Sequence, residues 1–170
     1  MKKEKITRKS NPKRLSVCAP ASKIEELEYD KDLFKWTKTQ ANLLQKGELE
    51  KLDIDHLREE IESLGISLQR ALESYISNLL MHKLKIEYQP EKHSNSWDNS
   101  IKNATFQIEK LIKKNPSLKT YLPGIFKDAY YAARLDASSE TGLDEKKFPE
   151  ECPWTIKELF PELNVKTKKK

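Results

Sequence analysis

Apolar residues recur at a helical period along most of this chain. The longest run has an apolar residue about every 3.6 positions, which is the pitch of a straight α-helix. Its members are Leu57, Ile61, Leu64, Leu68, Leu72, Tyr75, Leu79, His82 and Ile86. No stretch shows the strict alternation that is typical of strands, and valine, which strands favour, occurs only twice. The pattern therefore predicts an all-α protein built on one long helix over about residues 53–88.

The predicted long helix has a defined start and end. Asp53 or Asp55 can cap its first turn, because a carboxylate accepts hydrogen bonds from the free backbone N–H groups there. The apolar period keeps its phase across Gly65, so we expect the helix to continue through this glycine. Pro90 ends it, since the residue before a proline disfavours the helical conformation.

Shorter helices are predicted on either side of the long one. The first is capped by Asp30 and closed by Gly47, and its apolar face is Leu33, Trp36, Thr37, Ala41 and Leu44. The second follows Ser94 or Ser96, with the inward residues Trp97, Ile101, Ala104, Ile108 and Leu111. The third lies between Pro116 and Gly142, with Leu118, Leu122, Ile125, Ala129 and Ala132 inward. A short last helix runs from Trp154 or Thr155 to Phe160. Together they predict a single-domain helical bundle.

Charge divides the chain into a folded part and two basic tails. The net charge is +5, but residues 1–20 alone carry seven basic side chains and one acidic side chain. Residues 21–165 carry 21 basic and 26 acidic side chains. We therefore expect a disordered basic tail over 1–28, an all-helical domain over 29–163, and a basic C-terminal tail over 164–170.

Composition also limits the class of protein. No apolar run has the length of a membrane span. The two cysteines, Cys18 and Cys152, are too few for a disulfide framework or a zinc site of their own. We expect a cytoplasmic protein without a cofactor or bound metal.

A series of short motifs, in a fixed order, resembles a bacterial family known as domain of unknown function 29. The motifs are Tyr29-Asp30-Lys31-Asp32 with Trp36, Leu52-Asp53, Glu59 to Gly65, His82 to Lys85, Tyr88 to Glu91, Ser94 to Trp97, Pro116 to Leu118, Glu140 to Leu143 and Phe148 to Thr155. The resemblance covers about residues 29–163. It implies an all-helical fold and implies no activity. The chain departs from the family pattern at Ile86, His93 and Trp154.

The linker that follows the long helix is the strongest candidate for a ligand or partner site. It combines aromatic, imidazole, amide and hydroxyl groups between a helix end and a helix start, where free N–H groups favour anions. The candidate site residues are His82, Tyr88, Gln89, His93, Ser96, Trp97 and Glu60. A buried structural corner, with Trp97 filling the bundle and the serines capping, is the alternative interpretation.

A dense acidic turn near the start of the long helix raises a second hypothesis. Glu59, Glu60 and Glu62 lie close to His56, and carboxylates with a histidine on one helix can begin a metal site. The turn can equally be a solvated face with ion pairs to neighbouring lysine and arginine side chains. No sequence motif that is specific for an enzyme class is present.

These observations favour a non-enzymatic module that binds a protein partner. One alternative is a metal-assisted hydrolase or nuclease that uses His82 with Glu59, Glu60 or Glu62. The other is an accessory protein that binds nucleic acid through its basic tails, because clustered lysines attract phosphate groups. Neither the activity, the partner nor the oligomeric state follows from the sequence.

Overall fold

The computed structural model describes residues 28–163, and in that range every regular element is helical. The α-helices are α1 (Leu33–Lys46), α2 (Ile54–Tyr88), α3 (Asn95–Lys114), α4 (Leu122–Thr141) and α5 (Ile156–Leu159). Short 3-10 turns connect them. The all-α prediction is confirmed. The expected tails lie outside the described residues, apart from Glu28.

Helix α1 buries a different face from the expected one. Asp32, rather than Asp30, caps it by accepting the backbone N–H of Lys35 at 2.9 Å. The buried side chains are Trp36 and Gln40, whereas the expected inward residues Leu33 and Leu44 are 46% and 51% exposed. The helix is rotated towards Trp36 because the indole N–H makes a buried hydrogen bond, described below, that no leucine could make. Gly47 ends α1 with φ of 73°, as predicted.

Helix α2 runs through Gly65 and stops at Tyr88, so both predictions are confirmed. Its buried face differs from the expected one in the first half. Ile61 and Leu64 are 65% and 67% exposed. In the second half, the predicted positions Leu72, Leu79 and His82 are buried, and so is an adjacent line that the sequence pattern missed, consisting of Ile76, Leu80 and Leu84.

The described residues divide into two compact units, with the boundary between Glu60 and Ile61. The second unit has an apolar core to which α2, α3 and α4 contribute, together with Phe148, Phe160 and Leu163. Pro123 lies in the first turn of α4, where its missing N–H is harmless, and Gly142 ends that helix with φ of 73°. No helix among the described residues combines the length and apolar character that a membrane crossing requires.

Candidate functional site

A buried carboxylate, Asp53, organises the described part of the first unit. It is 2% exposed and accepts hydrogen bonds from Trp36 Nε1 at 3.1 Å and from the His56 ring Nδ1 at 2.6 Å. The backbone N–H of His56 donates to the second carboxylate oxygen at 3.3 Å. The backbone N–H of Asp53 itself donates to Gln40 Oε1 at 2.9 Å. Both side-chain oxygens of Asp53 are therefore satisfied.

Tyr29, which precedes α1, contacts this group of residues through its ring and its hydroxyl. Its ring stacks on His56 with the centroids 3.9 Å apart and meets Trp36 edge to face at 5.0 Å. Its hydroxyl donates to Glu60 Oε1 at 2.6 Å, and this bond raises the pKa of Tyr29 to about 12. We call this group the Asp53 cluster, which consists of Tyr29, Trp36, Gln40, Asp53, His56 and Glu60.

The pair of Asp53 and His56 has the arrangement of a carboxylate that orients an imidazole. The hydrogen bond to Asp53 raises the pKa of His56, and the carboxylates of Glu59 and Asp30 act in the same direction. A neutral His56 that donates from Nδ1 presents Nε2 as a proton acceptor. Since the aromatic and polar groups around the pair are bonded or stacked to one another, the cluster also joins the N-terminal residues to α1 and the start of α2.

The sequence pattern had connected only Glu60 and His56 of this cluster. Trp36, Gln40 and Asp53 were missed as a polar group because their partners are 13 to 17 residues apart along the chain. The signal was nevertheless present, since Tyr29, Trp36 and Asp53 all belong to the motifs that carry the family resemblance.

In the second unit, Lys85 contacts the predicted linker site that follows α2. Its ammonium group pairs with Glu140 and lies 4.4 Å from the centroid of the Trp97 ring. Gln89 is buried, and its side-chain amide donates to the backbone oxygen of Thr141 at 3.1 Å. These contacts join the end of α2 to the end of α4 and to the first turn of α3.

The other predicted residues of the linker are His93, Tyr88 and Ser96. His93 is exposed, and its Nε2 lies 2.9 Å from the carboxylate of Asp98. Tyr88 is half-buried and packs edge to face on Phe148, with the ring centroids 5.0 Å apart. Ser96 is exposed. The structure thus places Trp97 near both Lys85 and the exposed His93, whose ring centroid lies 6.4 Å from that of Trp97, and it bonds Gln89 to the end of α4.

His82 is buried in the second unit, and among the described residues its Nδ1 has no hydrogen-bond partner. Burial lowers its pKa, and the positive charge of Lys85 lowers it further, while Glu140 acts in the opposite direction. Glu60 lies 22 residues earlier on the same helix, which corresponds to about 33 Å along an ideal helix axis. The two therefore do not meet in one site. Within residues 28–163, no group of three or more histidine, cysteine, aspartate or glutamate side chains is placed to hold a metal ion.

A comparison with models of protein families identifies the family of this chain. The model of the family described as domain of unknown function DUF29 matches residues 28–163. The chain belongs to this family, and the resemblance seen in the motifs is confirmed. No curated protein and no solved structure matches the chain.

Proposed function

We propose that this protein is an interaction module that binds a partner protein through the apolar side of α1. We call this side the α1 face, and it consists of Leu33, Phe34, Thr37, Ala41 and Leu44. All five residues are exposed, with Leu33, Phe34 and Leu44 at 46%, 72% and 51%. A run of exposed apolar side chains on one side of a helix is typical of a surface that a partner covers.

The geometry of α1 gives it two separate sides. At 100° per residue, the α1 face spans about 100° of the helix circumference. Trp36 and Gln40 lie beside that sector and point into the Asp53 cluster. Trp36 and Gln40 thus hold the helix in place, while the α1 face is exposed to solvent. This exposed face is the single observation that carries the proposal.

The charge beside the α1 face favours one kind of partner protein. Lys38 flanks the α1 face at its Phe34 edge, with its ammonium group 5.3 Å from the centroid of the Phe34 ring, and α1 contains no acidic side chain. Two copies of α1 packed face to face would bring like charges together, which opposes self-association. We therefore commit to a partner helix whose apolar side is flanked by aspartate or glutamate, because such a flank complements the charge of Lys38.

The test uses two labelled helical peptides that share one leucine-rich face. One has glutamate at the flanking positions and the other has lysine. Titration with the full chain, followed by fluorescence anisotropy, should show saturable binding of the glutamate peptide. The lysine peptide should bind about tenfold more weakly or worse, since like charges meet at the rim.

Matched variants locate the binding surface. Phe34→Ser combined with Leu44→Ser should abolish binding of the glutamate peptide. Phe106→Ser should leave it unchanged, because Phe106 is 59% exposed but belongs to the second unit. Equal binding of both peptides, or equal loss in both variants, would overturn the proposal. So would a dimer in sedimentation that Leu44→Ser dissociates, since a second copy would then be the occupant.

A further inference from the structure

The second unit contains a cleft of about 600 Å³ between α2 and α4. Helix α2 lines it with Arg70, Glu73 and Ser77, and α4 lines it with Asp136 and Glu140. This volume lies in the range of sites for small organic molecules. The residues that line the cleft belong to the second unit, whereas the α1 face and the Asp53 cluster belong to residues 28–60.

The charges that line the cleft favour a cation. Glu73, Asp136 and Glu140 supply three carboxylates, and Arg70 supplies one guanidinium group, so the lining carries −2. Lys85 pairs with Glu140, but no described residue forms a salt bridge with Glu73 or Asp136. Carboxylates that share one space repel each other, and a bound cation relieves that repulsion.

A buried hydroxyl gives independent evidence for a ligand. Ser77 is 7% exposed, and within residues 28–163 its Oγ has no hydrogen-bond partner. A serine inside a helix can donate to the carbonyl one turn earlier, but Ser77 makes no such bond. Buried polar groups are almost always paired, so an unpaired one on the wall of a cleft indicates a missing donor or acceptor.

The cleft is elongated and has some apolar lining. Its α2 residues extend from Arg70 to Met81, which is about 16 Å along a helix axis. Met81 and Ala132 offer apolar contacts between the charged groups. A chain of methylene groups that carries positive charge matches this combination of length, charge and apolar wall.

We propose that the cleft binds an extended aliphatic ammonium ion. Ammonium groups pair with Asp136 and Glu73, and the hydroxyl of Ser77, which is closed off from solvent in the unliganded chain, turns into the cleft to accept a hydrogen bond from one of them. The methylene chain lies against Met81. A free polyamine and the lysine side chain of a peptide share this chemistry, and the experiment below distinguishes these two sources.

Isothermal titration of the full chain tests the site with two probes at constant ionic strength. The probes are spermidine and a trilysine peptide with blocked ends. At least one should bind with a saturable heat and a stoichiometry of one. Asp136→Asn should weaken that binding by about tenfold or more, as loss of a charge pair in a partly enclosed site does. Asp136 is exposed, so this isosteric change should leave the helical circular dichroism intact.

Asp128→Asn is the matched control, because Asp128 is an exposed carboxylate on α4 outside the cleft. It should change the affinity by less than about twofold, as a distant screened charge does. Ser77→Ala should weaken binding, whereas Ser67→Ala, at an exposed position of α2, should not. Tight binding of spermidine alone identifies a free amine, and tighter binding of trilysine identifies a peptide.

Three results would overturn the proposal. The first is the absence of a saturable heat with both probes. The second is an equal loss of affinity in Asp136→Asn and Asp128→Asn, which would indicate only a diffuse ion atmosphere. The third is displacement of the amine by Mg²⁺ at equal charge concentration, because a site built for an ammonium chain should prefer the amine.

Discussion

The Asp53 cluster and the cleft between α2 and α4 both contain buried polar groups, but they differ in how these groups are satisfied. Asp53 is bonded through both carboxylate oxygens, and Gln40 and Trp36 are bonded to it. At the cleft, the hydroxyl of Ser77 has no partner among the described residues. A fully paired polar group stabilises one conformation, whereas an unpaired one at a cavity wall is available to a ligand.

The two units also differ in what holds them together. Among residues 28–60, the buried side chains are Trp36, Gln40 and Asp53. The second unit instead has a continuous core of leucine, isoleucine, alanine and aromatic side chains. The first unit should therefore respond most to loss of a hydrogen bond, and the second to loss of apolar volume.

The largest expected effect is in the apolar core. Leu72→Ala should lower the free energy of unfolding by about 2–5 kcal/mol, since it removes buried methyl groups and leaves a cavity. Leu64→Ala is the matched control on the same helix, and it should change stability by less than about 0.5 kcal/mol because Leu64 is exposed. Urea denaturation followed by circular dichroism measures both. Similar losses in the two variants would show that the exposed half of α2 is covered in solution.

The next largest effect should be confined to the first unit. Asp53→Ala should cost about 2–3 kcal/mol, because the Trp36 indole N–H and the His56 ring lose their buried acceptor. The amide protons of α1 should then exchange faster with solvent, and those of α3 should not. Asp55→Ala removes only an exposed charge from the first turn of α2, which is worth about 0.3–1 kcal/mol. If α3 lost as much protection as α1, the two units would not unfold separately.

The two buried or half-buried histidines should give opposite pH dependences. The bond to Asp53 raises the pKa of His56 above its ordinary value of 6.5, so its contribution is present below pH 6.5 and is lost as the pH rises through the raised pKa. Burial lowers the pKa of His82 below 6.5, so the protein loses stability as the pH falls from 6.5 through the lowered pKa.

Stability curves of the wild type, His56→Gln and His82→Gln between pH 5 and 8 test these signs. His56→Gln should remove the loss of stability towards high pH. His82→Gln should remove the loss towards low pH. Unchanged curves in both variants would mean that other groups control the pH dependence.

The smallest effect concerns the free hydroxyl at the cleft. Ser77→Ala should stabilise the unliganded protein by about 0.5–1 kcal/mol beyond the gain from Ser67→Ala, because it removes a buried polar group without a partner. The Ser67 control subtracts the higher helix propensity of alanine. A loss of stability in Ser77→Ala would mean that this hydroxyl already has a partner in solution.

The helix boundaries were largely available from the sequence. Gly47, Pro90, Gly142 and Thr155 act within one turn of their own positions, so their effect on the backbone is local. The continuity of α2 through Gly65 also followed from an unbroken apolar period. Family membership could be predicted because the motifs and their order are read from the sequence, without knowledge of tertiary contacts.

The buried face of each helix was harder to predict. In α1 and in the first half of α2, apolar positions such as Leu44, Ile61 and Leu64 follow a regular period and are nevertheless exposed. A period shows that one side of a helix is apolar, but it does not show whether anything covers that side. The same limit applied to Ile76, Leu80 and Leu84, whose burial depends on where α3 and α4 pack.

The sequence by itself determined that this protein is helical, where most helices begin and end, and to which family it belongs. These properties depend on interactions between residues a few positions apart. Only the tertiary structure decided that Trp36, Asp53 and His56 form one bonded cluster and that Glu73 and Asp136 face the same cleft. Such contacts join residues that are far apart in the chain, and their hydrogen-bonding and charge balance exists only once the helices are packed.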